Sequence, residues 1–146
     1  MSVAKLQKEA ERWFEQAEDD LSAALALLSA NKFAQACFLS QQAAEKSLKA
    51  VGYLLDIDPW GHSCTKLIRS FPEEERQSFM EVEDDAKALD KLYIPTRYPD
   101  ALAELTPADA FTDKEALGAI ASAQSILNRA KNIIYPSSNP PEADGS

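Results

Sequence analysis

Histidine occurs once in these 146 residues, cysteine twice and glycine four times. With His62 the only histidine, a histidine-based metal site is not expected, and any serine–histidine or cysteine–histidine apparatus would have to use that residue. Cys37 and Cys64 are too few for a disulfide framework and stand in no metal-ligand spacing, which predicts buried thiols in a reducing cytosol. No metal and no cofactor are expected. Scarce glycine beside abundant Ala, Leu, Glu, Lys and Gln favours helix over sheet. Basic residues are also short: 15 Lys and Arg face 24 Asp and Glu, a net charge of −9. That balance argues against generic binding to a nucleic-acid backbone, though not against one local basic pocket. The opening MSVAKLQKEA lacks the apolar core of a signal peptide, and no run approaches the ~20 apolar residues of a membrane span. A cytoplasmic protein, with no membrane partner, is expected.

What is present is ordinary for a soluble globular chain, 45% apolar and 27% charged residues, at a length that predicts one domain. The stretch 32–55 organises the rest. At about 100° per residue its apolar and small positions make one broad face. Phe33, Ala36, Cys37, Ser40, Ala44, Ser47, Leu48, Val51, Leu54 and Leu55 lie on it, with Leu39, Ala43 and Ala50 on one shoulder. A helix apolar around most of its circumference belongs inside a bundle. The remaining strip is Gln35, Phe38, Gln42, Glu45, Lys46, Lys49 and Tyr53.

Residues 3–29 read as a first helix with Trp13, Ala17, Leu21, Ala24 or Leu25, and Leu28 inward. Asn31 in the brief connection serves as the end of that helix or the N-cap of the next. The second helix stops near Asp56, and Pro59 and Gly61 flank a turn. Ser63 or Thr65 caps a short helix running to Phe71. Pro72 followed by Glu73, Glu74 and Glu75 opens a fresh helix to about Tyr93, with Phe79, Val82, Ala86, Leu89 and Leu92 or Tyr93 inward. Prolines 95, 99 and 107 forbid a regular helix over 94–111, a long connection of the kind that often carries function. Thr112 and Glu115 form a capping box for a last helix to about Tyr135, with Leu117, Ile120, Ala121, Gln124, Leu127 and Ile134 on or near one side. These patterns predict an all-α, up-and-down bundle of four or five helices over residues 1–135. The proline-rich polar tail 136–146 is expected to be disordered.

Two motifs stand out together: Ser40-Gln-Gln-Ala-Ala-Glu-Lys-Ser-Leu-Lys-Ala50, and Thr96-Arg-Tyr-Pro-Asp-Ala101. With His62 and Leu67 between them, in that order and spacing, the chain resembles the HEPN family (higher eukaryotes and prokaryotes nucleotide-binding). The resemblance covers roughly residues 10–134. It implies a helical bundle that usually forms a homodimer. It also implies one of three roles: partner of a minimal nucleotidyltransferase, ribonuclease of a toxin–antitoxin or defence system, or nucleotide-binding module. The ribonuclease branch uses arginine, four to six residues, then histidine. Positions 55–57 before His62 are Leu, Asp and Ile, and positions 102–104 after Arg97 are Leu, Ala and Glu. No arginine satisfies the rule, so catalytic residues are not carried over and a non-catalytic member is expected.

The candidate ligand residues are donors that a folded-over loop would converge. Gln42, Lys46, Lys49 and Tyr53 share one stripe of the second helix. Arg97 would clamp a phosphate while Tyr98 stacks, Asp100 stands in the same loop, and His62 with Lys66 would complete the wall. Each has a plainer reading: Lys49 paired with Glu45, Arg97 with Asp100, Tyr98 as a packing plug, His62 on nearby backbone. The preferred function is a non-catalytic dimer that binds a nucleotide, partners a minimal nucleotidyltransferase, or both. A divergent ribonuclease using His62 and Arg97, or an adaptor with no small ligand, are the alternatives.

Overall fold

The second helix, α2 (Phe33–Leu54), is the axis of the protein in the computed structural model, which describes residues 2–136. It packs on α1 (Val3–Ser29) and α7 (Asp113–Ile134) along most of its length, and on α3 (Cys64–Arg69), α5 (Glu83–Asp90) and α6 (Pro107–Ala110) at its sides. α4 (Glu73–Ser78) completes the set, and among the described residues there is no strand. The architecture is an all-α bundle.

Small side chains explain the central position of α2. Ala36, Cys37, Ser40, Ala43, Ala44, Ser47 and Ala50 have no exposed surface, so neighbouring backbones approach closely. Ser40 and Ser47 donate their hydroxyls back to the Ala36 and Ala44 carbonyls at 2.8 Å, so burial leaves neither hydroxyl unpaired.

The α1–α2 turn is a Schellman motif. Asn31 takes the left-handed φ of 60°, Asn31 N–H donates to Leu28 O, and Lys32 N–H donates to Leu27 O. Asn31 thus ends α1 and does not cap α2. The same device ends α2, where Asp56 (φ 57°) and Ile57 return hydrogen bonds to Tyr53 and Gly52. Ser63, not Thr65, caps α3. The capping box of Thr112 and Glu115 is present with both bonds made.

Three expectations are corrected, and one open alternative, Ala24 or Leu25, is settled. Phe14, not Trp13, fills the core of α1; Trp13 is half-buried beside it. Ala24 faces inward and Leu25 is exposed. The helix expected from 72 to 93 breaks into α4, a 3₁₀ turn (Met80–Val82) and α5. α4 has no buried side chain to hold it to the core, and the break brings both Phe79 and Val82 inside. Glu83, Asp84 and Asp85 then occupy the first turn of α5, where acids suit the positive helix end. In α7 the inward stripe is Ala116, Ala119, Ala123, Ile126, Leu127, Ala130 and Ile134, while Leu117, Ala121 and Gln124 are exposed. The alanine stripe allows close approach to the small residues of α2, and this sets the phase of the helix. The segment 94–111 forms no long helix, though it contains a 3₁₀ turn (Pro99–Ala101) and the single turn of α6, capped by Thr106. The tail expected to be disordered lies, beyond Pro136, outside the described residues.

Candidate functional site

The polar strip of α2 is wide enough for its two edges to meet different neighbours. At about 100° per residue Tyr53 falls ~20° from Lys46, whereas Lys49, Phe38 and Glu45 fall ~60–100° from Lys46 in the same sense.

The first edge faces α1. Lys46 Nζ donates to Asp20 Oδ2 at 2.5 Å, Gln16 Nε2 donates to Asp20 Oδ1 at 2.9 Å, and the Asp20 side chain is only 10% exposed. Tyr53 lies against Trp13, ring centroids 5.2 Å apart. Trp13 in turn donates its indole N–H to Glu9 at 3.1 Å. Lys46 and Tyr53 are therefore taken up in the α1–α2 contact.

The second edge faces the segment 91–98. Glu45 is buried and its carboxylate is shared three ways. Oε1 accepts from Gln41 Nε2 at 3.1 Å; Oε2 accepts from Lys49 Nζ at 3.1 Å and lies 3.4 Å from His62 Nδ1. Gln41 also donates to the His62 carbonyl at 3.3 Å, and Gln42 donates to Gln41 Oε1 at 2.7 Å. The His62 ring stacks on Tyr93, centroids 4.7 Å apart and 16° from parallel.

The same Tyr93 ring lies 4.3 Å from the Arg97 guanidinium carbon, and the rings of Phe38 and Tyr98 each lie 5.0 Å from it. Arg97 Nε donates to Tyr93 O at 3.0 Å. Among the described residues neither terminal nitrogen of Arg97 has a hydrogen-bond or carboxylate partner. The side chain opens on a cleft of about 370 Å³ lined by Ala34, Gln35, Phe38, Thr96, Arg97 and Thr106, among others. A guanidinium fixed in aromatic faces with its fork free can take a planar or tetrahedral oxyanion.

The structure thus brings together some of the expected residues and separates others. Gln42, Lys49, His62, Arg97 and Tyr98 lie along one continuous network; Lys46 and Tyr53 lie on the other edge. Arg97 meets α2 at Phe38, eleven residues and so ~16 Å along the axis from Lys49. Lys49 is already paired with Glu45, so it is not a free phosphate ligand. Asp100 is exposed on the 3₁₀ turn with no partner among the described residues, and Arg97 does not pair with it. Lys66 is exposed and lines a separate cleft with His62.

The remaining titratable side chains in this region are structural. Asp90 accepts from Ser63 Oγ at 2.8 Å, Cys64 N at 2.6 Å and Thr65 N at 3.2 Å, locking the start of α3 to α5. Burial, with Asp90 and Glu45 adding, pushes the Cys64 thiol well above its ordinary range. Among the described residues no group of three or more His, Cys, Asp or Glu is placed to hold a metal ion, and no helix is long and apolar enough to cross a membrane.

The sequence pattern of the HEPN domain family matches residues 10–133. The chain belongs to the HEPN family. Two solved structures are similar to it in both fold and sequence. TT1696 from Thermus thermophilus is 39% identical, with a TM-score of 0.82, over 86% of this chain and 98% of that one. ST0689, an archaeal HEPN homologue, is 38% identical, with a TM-score of 0.70, over 86% and 98%. Among curated proteins, Putative toxin MJ1304 from Methanocaldococcus jannaschii is 28% identical over 140 residues, 87% of this chain and 89% of that protein.

Within this HEPN bundle, sequence reasoning missed Tyr93 and Phe38 as ring partners of Arg97, and Asp20 as the partner of Lys46. Tyr93 stands four residues before Arg97, the spacing at which a helical turn stacks one side chain over another. Asp20 stands three residues after Ala17 in the inward phase of α1, where a lone carboxylate demands a buried cation.

Proposed function

We propose that this HEPN chain is a non-catalytic, homodimeric nucleotide-binding protein of the cytoplasm, and that it works beside a minimal nucleotidyltransferase in a toxin–antitoxin-like pair. The observation that carries the ligand reading is the state of Arg97: caged by Phe38, Tyr93 and Tyr98, its terminal nitrogens unpaired among the described residues, and facing a cleft. In this reading a phosphate sits on the guanidinium fork, and the half-exposed Tyr98 ring stacks on the base. The likeness to a protein named as a toxin supports the pairing. The ribonuclease arrangement of arginine and histidine is absent from the sequence, which favours binding over cleavage.

Titration calorimetry of the full chain with ATP and GTP tests the ligand. Binding of at least one is expected, weakened about 10-fold or more by Arg97→Ala, the size of a lost charged hydrogen bond. No heat with either nucleotide, or an Arg97→Ala protein that binds as well as wild type, overturns the reading.

A further inference from the structure

Trp60 is 83% exposed, although tryptophan normally buries most of its large surface and, when it lies on the outside, is concentrated at interfaces. The loop that presents it is held at both ends. On one side Asp56 and Ile57 close the Schellman turn, and Pro59 is buried against Gly52. A Cβ at position 52 would stand 2.7 Å from Pro59 Cβ, so only glycine lets the loop lie this close to α2. On the other side Gly61 takes φ 96°, and Asp90 clamps Ser63, Cys64 and Thr65. Trp60 therefore projects from a built rim.

Immediately beside it lies a cleft of about 520 Å³, lined by Pro59, Trp60, His62, Lys66, Leu67 and Ser70. Asp58 stands at the same cleft. Among the described residues neither Asp58 nor Lys66 has an ion-pair partner, so both charges are open to a group from outside the chain. One face thus carries an apolar knob, a hole beside it, and the two halves of an unmade ion pair.

We propose that this face is where a second copy of the chain docks about a twofold axis, the Trp60 indole of each copy entering the cleft of the other and Asp58 of each meeting Lys66 of the other. In a twofold contact, residue i touching j requires j to touch i, so a surface bearing both knob and hole and both charges is complementary to itself. An aromatic anion, or an unrelated protein with an acidic rim, would use Trp60 and Lys66 but leave Asp58 facing no cation.

The inference rests on the dimer reading above and adds its surface. Sedimentation equilibrium of the full chain between about 1 and 100 µM, the range of ordinary protein association, decides it. A dimer is expected. Trp60→Ala should raise its dissociation constant at least about 30-fold, as loss of an interface anchor does, with the helical circular dichroism unchanged. Asp58→Lys and Lys66→Asp should each dissociate it, and the double reversal should restore it. A wild-type monomer throughout overturns the dimer and this surface together. A wild-type dimer indifferent to Trp60→Ala, or a double reversal that fails to regain association, overturns the surface alone.

Discussion

Both edges of α2 pair their own lysines, Lys46 with Asp20 and Lys49 with Glu45, but the elements that face them differ in what they leave open. Toward α1, a lysine, a tyrosine and an aspartate are closed into contacts: Lys46 on Asp20, Asp20 also on Gln16, Tyr53 on Trp13. A cleft of about 590 Å³ lies there, more roomy than the one at Arg97, yet its two cations, Arg12 and Lys46, already end on Glu9 and Asp20. Toward 91–98, Arg97 is fixed by three rings and one backbone bond, and no carboxylate reaches it among the described residues. A cation's place on a helix therefore says little about its use. What decides is whether the neighbouring element delivers a counter-charge, so the smaller cleft is the better ligand site.

On this contrast the first edge is structural, and its loss should be felt in stability. Asp20→Ala leaves Lys46, a side chain only 26% exposed, without its partner. Removing one member of a mostly buried pair typically costs ~3 kcal/mol. Urea unfolding should show a loss of about that size, with nucleotide binding unchanged in the protein that remains folded. A change under ~0.5 kcal/mol would erase the distinction between the edges.

α2 has a third side, sealed against α7, and it answers to pH. Burial pushes the Cys37 thiol up to about 12, and the Glu115 carboxylate adds to this. The folded value lies above the unfolded one, so the thiol's contribution is full below pH ~8.5 and falls as pH rises through the folded value, by about 1.4 kcal/mol per pH unit. Cys64 is shifted in the same direction. Unfolding free energies between about pH 9 and 11 should decline less steeply in Cys37→Ala than in wild type, by roughly that slope. Parallel declines would mean that water reaches this side as it reaches the Arg97 edge.

Much of the bundle was legible because its signals are local. Alanine, serine and cysteine at the inward phase of 32–55 marked the axis, Asp56 to Gly61 its end, Thr112 with Glu115 the start of α7, and three prolines the irregular connection. The misses share one cause: a property fixed by a neighbour. The phase of α7 follows from alanines that fit against α2, although Leu117, left outside by that phase, looks more hydrophobic. The break at Met80 follows from the need to bury Phe79 and Val82 together. The site was half legible for the same reason. The stripe Gln42, Lys46, Lys49 and Tyr53 is real as a row, but nothing local shows that Asp20 claims one lysine and Glu45 the other. Arg97 stood out through its motif; that three rings would hold it could be known only once Phe38 and Tyr93 were placed beside it.

The smallest effect gives the sharpest test of the open edge. Arg97→Lys keeps the positive charge and much of the length of the side chain, but loses the planar fork and its stacking on Phe38, Tyr93 and Tyr98. Because Arg97 makes no ion pair among the described residues, the fold should barely notice, with a change of ~1 kcal/mol or less from weakened cation–π contact. Nucleotide affinity should nevertheless fall nearly as far as in Arg97→Ala, since an ammonium cannot present two parallel donors to a phosphate and is not oriented by ring faces. Calorimetry and urea unfolding on the same preparation separate the two. Should Arg97→Lys bind ATP like wild type, charge alone would suffice, and the aromatic cage would be packing of the kind that holds Trp13 against Tyr53 on the other edge. Should it lose stability on the scale of Asp20→Ala, Arg97 would be structural cement, and the two edges of α2 would no longer differ in kind.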